Sequence, residues 1–162
     1  MAANDQNDDG HDTSNLPDLG DAIDIVTFSQ ILEMDDSEDD REFSKSIVFG
    51  FFEQAEETFE KMDTALIVEA DLCALLLSRE TSNLEELYRL GHFLKGSSAT
   101  LGLTKVKDSC EKIQRYGKKE NLDGTPEKDE ALCLTRVTET LKTVKAEYAD
   151  VEQTLKNFFN ST

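Results

Sequence analysis

His92, Lys95 and Gly96 form a short pattern whose residue types and spacing could do covalent chemistry. A neutral imidazole is a competent nucleophile near neutral pH. Attack on an aspartyl phosphate would give a phosphohistidine. An ammonium three residues away would offset part of the transferred phosphoryl charge. A glycine four residues away puts no side chain over the ring, so a bulky partner could approach. The same pattern by itself also describes an inert surface histidine, because His-x-x-Lys is weak as a signature.

The element that would carry these residues is a helix rich in small side chains, 83–101. Its apolar positions are Leu84, Leu87, Leu90, Leu94, Ser98 and Leu101, at intervals of three and four. Each residue turns a helix by about 100 degrees, so His92 lies about 160 degrees from Leu90 and faces outward. Lys95 and Gly96 share that outward patch. Gly91 and Gly96 each cost a helix interior on the order of 1 kcal/mol relative to Ala. Something other than helix propensity must require them. Ser97 could orient the site, and Ser98 reads as a small packing residue whose hydroxyl bonds a backbone carbonyl.

Four further helices are predicted around this one. Residues 25–34 carry a short apolar helix with Ile25, Phe28, Ile31 and Leu32. A long helix follows, with Phe43, Ile47, Phe51, Thr58, Met62 and Leu66 along one stripe and Ser37 as its N-cap. Thr104 is expected to cap a helix holding Val106, Cys110, Ile113 and Tyr116, which Gly117 ends. Pro126 is expected just inside the start of the last helix. There Leu134, Val137, Leu141, Val144, Tyr148, Val151, Leu155 and Phe158 alternate spacings of three and four. That seam could pair with a second chain as a coiled coil, or cover the other helices of its own chain. No alternating strand pattern survives, so the expected fold is all-α, a bundle of four major helices.

Composition narrows the function classes. The chain has 162 residues, with 17 Lys and Arg against 35 Asp and Glu, a net charge of -18. That balance excludes a protein that coats nucleic acid or anionic lipid. No apolar stretch approaches the roughly 18 residues that span a bilayer. Residues 1–24 hold seven Asp and no Lys or Arg, and are read as an acidic disordered tail before a domain at 25–162. Cys73, Cys110 and Cys133 lack any paired spacing and read as reduced thiols. His11 sits in the tail, away from His92, which argues against a clustered His-Cys metal site. The acidic run 35–40 lacks calcium-loop spacing. Six bases against two acids in 105–119 could steer an acidic partner, or simply solvate a helix face. The apolar segment 67–77 is either a continuation of the long helix or a separate turn.

The stretch from Leu90 to Gly102 resembles the signature of histidine-containing phosphotransfer domains. The likeness extends to the fungal phosphorelay intermediates of osmosensing pathways through Ile31-Leu32-Glu33-Met34-Asp35-Asp36, Phe43-Ser44-Lys45-Ser46-Ile47-Val48-Phe49, Phe51-Phe52-Glu53-Gln54-Ala55 and Cys110-Glu111-Lys112-Ile113-Gln114. The resemblance covers about two thirds of the chain. It implies an up-down-up-down four-helix bundle with an additional short N-terminal helix. It implies His92 as phosphoryl acceptor, Lys95 as phosphate stabiliser, Gly96 as steric clearance and Gln114 as a hydrogen-bonding neighbour. On the same analogy Ile31, Met34, Phe43, Ile47 and Phe51 belong to a docking surface, although helical spacing alone makes Phe43, Ile47 and Phe51 core residues.

The activity implied is that of a phosphocarrier rather than a conventional enzyme. It would take a phosphoryl group from the receiver domain of a hybrid histidine kinase and pass it to the receiver aspartate of a response regulator. No intrinsic cofactor is implied, the Mg²⁺ being the receiver's. The expected protein is a monomer of cytoplasm and nucleus, with no nucleic-acid or membrane partner. The alternative is a catalytically silent bundle that only binds receivers. The segment 67–80 departs from the family pattern as an insertion before the histidine helix.

Overall fold

The computed structural model describes residues 18–37, 40–72 and 83–161, the side chains of 68–72 apart. Five helices and no strand occur among them: α1 (Ile25–Leu32), α2 (Glu42–Leu72), α3 (Asn83–Thr100), α4 (Thr104–Gly117) and α5 (Glu130–Ser161). The four longer helices enclose one core, and α1 lies at one end of it.

The periodic positions face that core. On α5, Val137, Leu141, Val144, Tyr148, Val151, Leu155 and Phe158 are all buried within a single chain. The coiled-coil alternative therefore falls away, because the seam already has its partners. Tyr148 shows how the α2–α5 contact is made. Its ring meets Phe52 and Phe59 edge-on, at centroid distances of 6.0 and 5.4 Å. Its hydroxyl donates toward Glu56 Oε1 at 3.3 Å. Burial and the Glu152 and Glu56 carboxylates push the phenol well above its ordinary range.

The helix starts differ from those expected: side chains preceding α2 and α5 cap those two helices, and α4 starts after Leu103 with no side-chain cap. At α2 the caps are Asp40 and Asp35 rather than Ser37. Asp40 Oδ1 accepts the Glu42 N–H at 3.2 Å, and Asp35 Oδ1 accepts the Ser44 N–H at 2.9 Å. Thr104 lies inside α4, and its hydroxyl donates to the Ala22 carbonyl at 3.2 Å. Pro126 lies in the loop before α5, bridged to Glu120. Asp129 Oδ1 accepts the Leu132 N–H at 3.1 Å and so caps α5 in its place.

The boundary expected at residue 24 also moves. Residues 18–24 pack onto the bundle, with Leu19 and Ile23 buried. Ile23 bridges Leu103, and the Asp24 N–H donates to the Gly102 carbonyl at 2.7 Å. Gly102 turns the chain between α3 and α4 at φ +73, and a Cβ there would stand 2.8 Å from the Asp24 carbonyl oxygen. The two apolar side chains of this short segment outweigh its acidic composition. The rest of the expected tail, 1–17, lies outside the described residues.

α2 runs on to Leu72, so the first part of the apolar segment 67–77 continues the long helix. Ile67 is exposed. What remains of that segment, and Cys73 within it, lie outside the described side chains.

Candidate functional site

α3 turns His92 outward, as its offset from Leu87 and Leu94 requires. Leu87 and Leu94 are fully buried, whereas His92 and its neighbour Phe93 are exposed. Leu90 is half-buried rather than central to the core. Ser98 fills its packing role: its buried hydroxyl donates to the Leu94 carbonyl at 2.6 Å. Ser97 donates to the Phe93 carbonyl at 3.3 Å, a contact within its own helix.

The two unexplained glycines have different causes. At Gly91 a Cβ would lie 2.9 Å from the Gln114 backbone nitrogen and 3.1 Å from the Cys110 carbonyl oxygen. Gly91 is thus where α3 meets the backbone of α4. Gly117 makes the reciprocal approach, its Cβ position lying 2.6 Å from the Tyr88 nitrogen. It is a packing glycine of α4 as well as its last residue. Gly96 has nothing within 4 Å of its Cβ position. Packing does not require that glycine, and open space lies above it.

This close α3–α4 contact brings α4 side chains next to Tyr88 and Lys95, on either side of the histidine. A cleft of about 180 Å³ is lined by Tyr88, Lys95, Glu111, Gln114, Arg115, Lys118 and Glu120. Tyr88 and Lys95 are one helical turn either side of His92, which puts the imidazole at the cleft's edge. The Tyr88 and His92 rings lie 6.3 Å apart and 15 degrees from parallel. Gln114 Oε1 is buried and accepts no hydrogen bond. A buried acceptor of this kind is costly unless a donor arrives. Sequence reasoning missed Tyr88, whose only signal is its place four residues before His92.

The base-rich stretch 105–119 is largely paired within the protein. Lys105 binds Asp21 at 2.7 Å, Lys107 Asp108 at 3.5 Å, Arg115 Glu111 at 3.1 Å, Lys118 Glu120 at 3.1 Å and Lys119 Glu130 at 2.8 Å. The Asp21 hydrogen bond raises Lys105 above its ordinary range, and Lys105 lowers Asp21. Lys95 makes no ion pair with any described residue. Cys110, behind Gly91, is buried, and burial reinforced by Glu147 pushes its thiol up to about 12. Such a thiol is inert near neutral pH. Cys133 is also buried and reduced.

The expected docking residues divide. Met34 and Phe43 are exposed, at 62% and 44%. Both line a hollow with Asp35, Asp36, Asp40 and Glu42. Ile47 is half-buried and lines a second hollow, between α2 and α3, with Ser97, Thr100 and Leu101. Phe51 is 4% exposed and forms the wall of that hollow. Ile31 is a core residue, its side chain turned under α1. Phe43 is thus not the core residue that helical spacing suggested, because α2 begins beside it and leaves that face uncovered. Among the described residues no group of His, Cys, Asp and Glu could hold a metal ion. No helix among them is long and apolar enough to cross a membrane.

Comparison with known proteins points the same way. The family model described as the Hpt domain matches residues 47–154. The multistep phosphorelay regulator 1 of Schizosaccharomyces pombe is 43% identical over 138 residues, covering 85% of this chain and 42% of that protein. The phosphorelay intermediate protein YPD1 of Candida albicans is 48% identical over 101 residues, 62% of this chain and 47% of that protein. The chain therefore spans about half the length of the curated relatives it matches. The Saccharomyces cerevisiae Ypd1 structure, solved with the receiver domain of its downstream response regulator Ssk1, superposes with a TM-score of 0.67 at 30% identity. That match covers 86% of this chain and 95% of that one.

Proposed function

The chain belongs to the Hpt-domain family, and on that footing we propose that it is a phosphorelay intermediate that carries a phosphoryl group on His92 between receiver domains. The donor would be the receiver of a hybrid histidine kinase and the acceptor the receiver of a response regulator. One observation carries this reading: an exposed imidazole beside an unpaired ammonium and an unobstructed glycine, at the edge of a cleft whose buried acceptor has no donor. The yeast relative crystallised with a receiver domain supports the choice of partner.

The transfer follows from these groups. The ring nitrogen that bears no proton attacks phosphorus with its lone pair. The N–P bond forms as the P–O bond to the receiver's aspartate breaks, and that bond's electron pair leaves on the carboxylate. The ring's other N–H then carries a share of the positive charge, and Gln114 Oε1, a buried acceptor without a donor, would be its partner. Lys95 offsets charge on the phosphoryl oxygens. Gly96 leaves the receiver room to bring its aspartate within reach. The Mg²⁺ this chemistry uses would belong to the receiver, where it shields the phosphoryl oxygens. Phe43, Met34 and Ile47, with the wall formed by Phe51, would give the receiver an apolar seat beside the histidine. The carrier would act as a monomer in cytoplasm and nucleus.

The test is phosphotransfer from a labelled receiver, with Mg²⁺, to the unaltered protein and to H92Q. Acid-labile, base-stable label on the unaltered protein alone is the expected result. Absence of label on both folded proteins, tried with receivers from several kinases, would favour a bundle that only binds. K95A is expected to take label more slowly or lose it faster. Equal rates and lifetimes would remove Lys95 from the site.

A further inference from the structure

The cleft beside His92 holds more charge than a single lysine supplies. Arg115 and Glu111 stand one turn apart on α4 and both line it, with Lys95 facing them from α3. Their contact is lopsided. Arg115 Nε and Nη2 both donate to the same oxygen, Glu111 Oε1, at 3.3 and 3.1 Å. A guanidinium fork is best satisfied by two oxygens of one planar or tetrahedral anion. Here the second carboxylate oxygen goes unused by the fork. Both side chains are more than a third exposed, so neither is locked in place by burial.

We infer that Arg115 is a phosphoryl ligand held in reserve by Glu111, and that this pair sets how long the phosphoryl group survives on His92. The inference rests on the relay reading above. With His92 unmodified, Glu111 occupies the guanidinium. Once a phosphoryl group stands at the cleft edge, it offers the fork two oxygens and more charge than the carboxylate. Arg115 then divides its time between the two anions. Loss of the group proceeds by attack of water on phosphorus, with the N–P bond breaking and its electron pair returning to the ring nitrogen, which regains a proton. A guanidinium bound to two phosphoryl oxygens stabilises the resting anion through charge-assisted hydrogen bonds and restricts the approach of water in line with the N–P bond. A cation on those oxygens therefore favours the phosphohistidine over its transition state and slows hydrolysis. Glu111, by competing for that cation, shortens the lifetime.

The experiment measures the half-life of label on the isolated phosphoprotein for the unaltered chain, R115Q, E111Q and the double variant. R115Q is expected to shorten the half-life roughly threefold and E111Q to lengthen it roughly twofold, the scale of one partly exposed ionic contact. In the double variant the gain from E111Q disappears. R115Q and E111Q break the same ion pair, so a purely structural role would move both half-lives in the same direction. Unchanged half-lives, shifts of the same sign, or an E111Q gain that persists in the double variant would each overturn the inference while leaving the relay reading intact. No label on the unaltered protein would overturn both.

Discussion

Gly91 and Gly96 sit five residues apart on one helix, and the structure predicts opposite consequences for replacing each with alanine. In an exposed helix interior that replacement is worth about 1 kcal/mol of stability through backbone entropy. At Gly96 the new methyl would meet nothing within 4 Å, so G96A should realise that gain. At Gly91 it would stand 2.9 Å from the Gln114 nitrogen, 3.1 Å from the Cys110 carbonyl oxygen and 3.1 Å from Ile113 Cγ2. Two of those atoms are α4 backbone and cannot rotate aside. α3 and α4 must separate by a few tenths of an ångström, and overpacking of this kind costs about 1–3 kcal/mol. Subtracting the entropy gain leaves G91A about 1 kcal/mol less stable than the unaltered chain. The two variants should then differ by about 2 kcal/mol, or roughly 4–8 °C in melting temperature for a domain of this size. Urea unfolding followed by helical circular dichroism measures the difference. A G91A protein as stable as G96A would refute the claim that Gly91 is kept for close helix packing.

Other consequences can be checked with equally simple variants. G96L should stay folded yet lose most of its affinity for a receiver domain, read by titration calorimetry; normal affinity would remove the clearance role of Gly96. Ile23→Ala should destabilise the bundle by about 2–4 kcal/mol, because Ile23 is buried against the α3–α4 turn; an unchanged urea midpoint would return residues 18–24 to the tail. Cys110 binds its proton more tightly folded than unfolded, with its thiol pushed from 9.0 to about 12. Stability should therefore fall by up to about 1.4 kcal/mol per pH unit above the unfolded thiol's titration, level off near pH 12, and lose that dependence in C110A. A C110A protein with the same alkaline slope would assign the loss to other groups.

The features legible in the chain are those set by local periodicity. Three- and four-residue spacing identified α3 and α5 and placed Leu87 and Leu94 opposite His92, because a helix fixes the angle between its own side chains. The same rule foretold that Ser98 would bond within its helix. Helix starts were less legible. Ser37 and Pro126 are suitable residues at unsuitable places, since the donors at those ends find Asp35, Asp40 and Asp129 instead, and Thr104 lies inside a helix that has no side-chain cap.

Other features depend on which helix lies across the gap, and no local pattern carries that information. Two glycines with the same helical cost differ in their surroundings, Gly91 lying against the α4 backbone and Gly96 beneath open space, a distinction made only by the position of α4. Glu111 and Arg115 come to the histidine's side of α3 because Gly91 and Gly117 let two backbones approach, not because their spacing announces a site. Phe43 and Phe51 follow one stripe, yet one is exposed and the other buried, because a stripe has neighbours only where another helix covers it. The sequence by itself determined which way His92 faces, because a helix fixes the angle between its own side chains. Tertiary packing decided which charges surround it, because those contacts join residues distant along the chain.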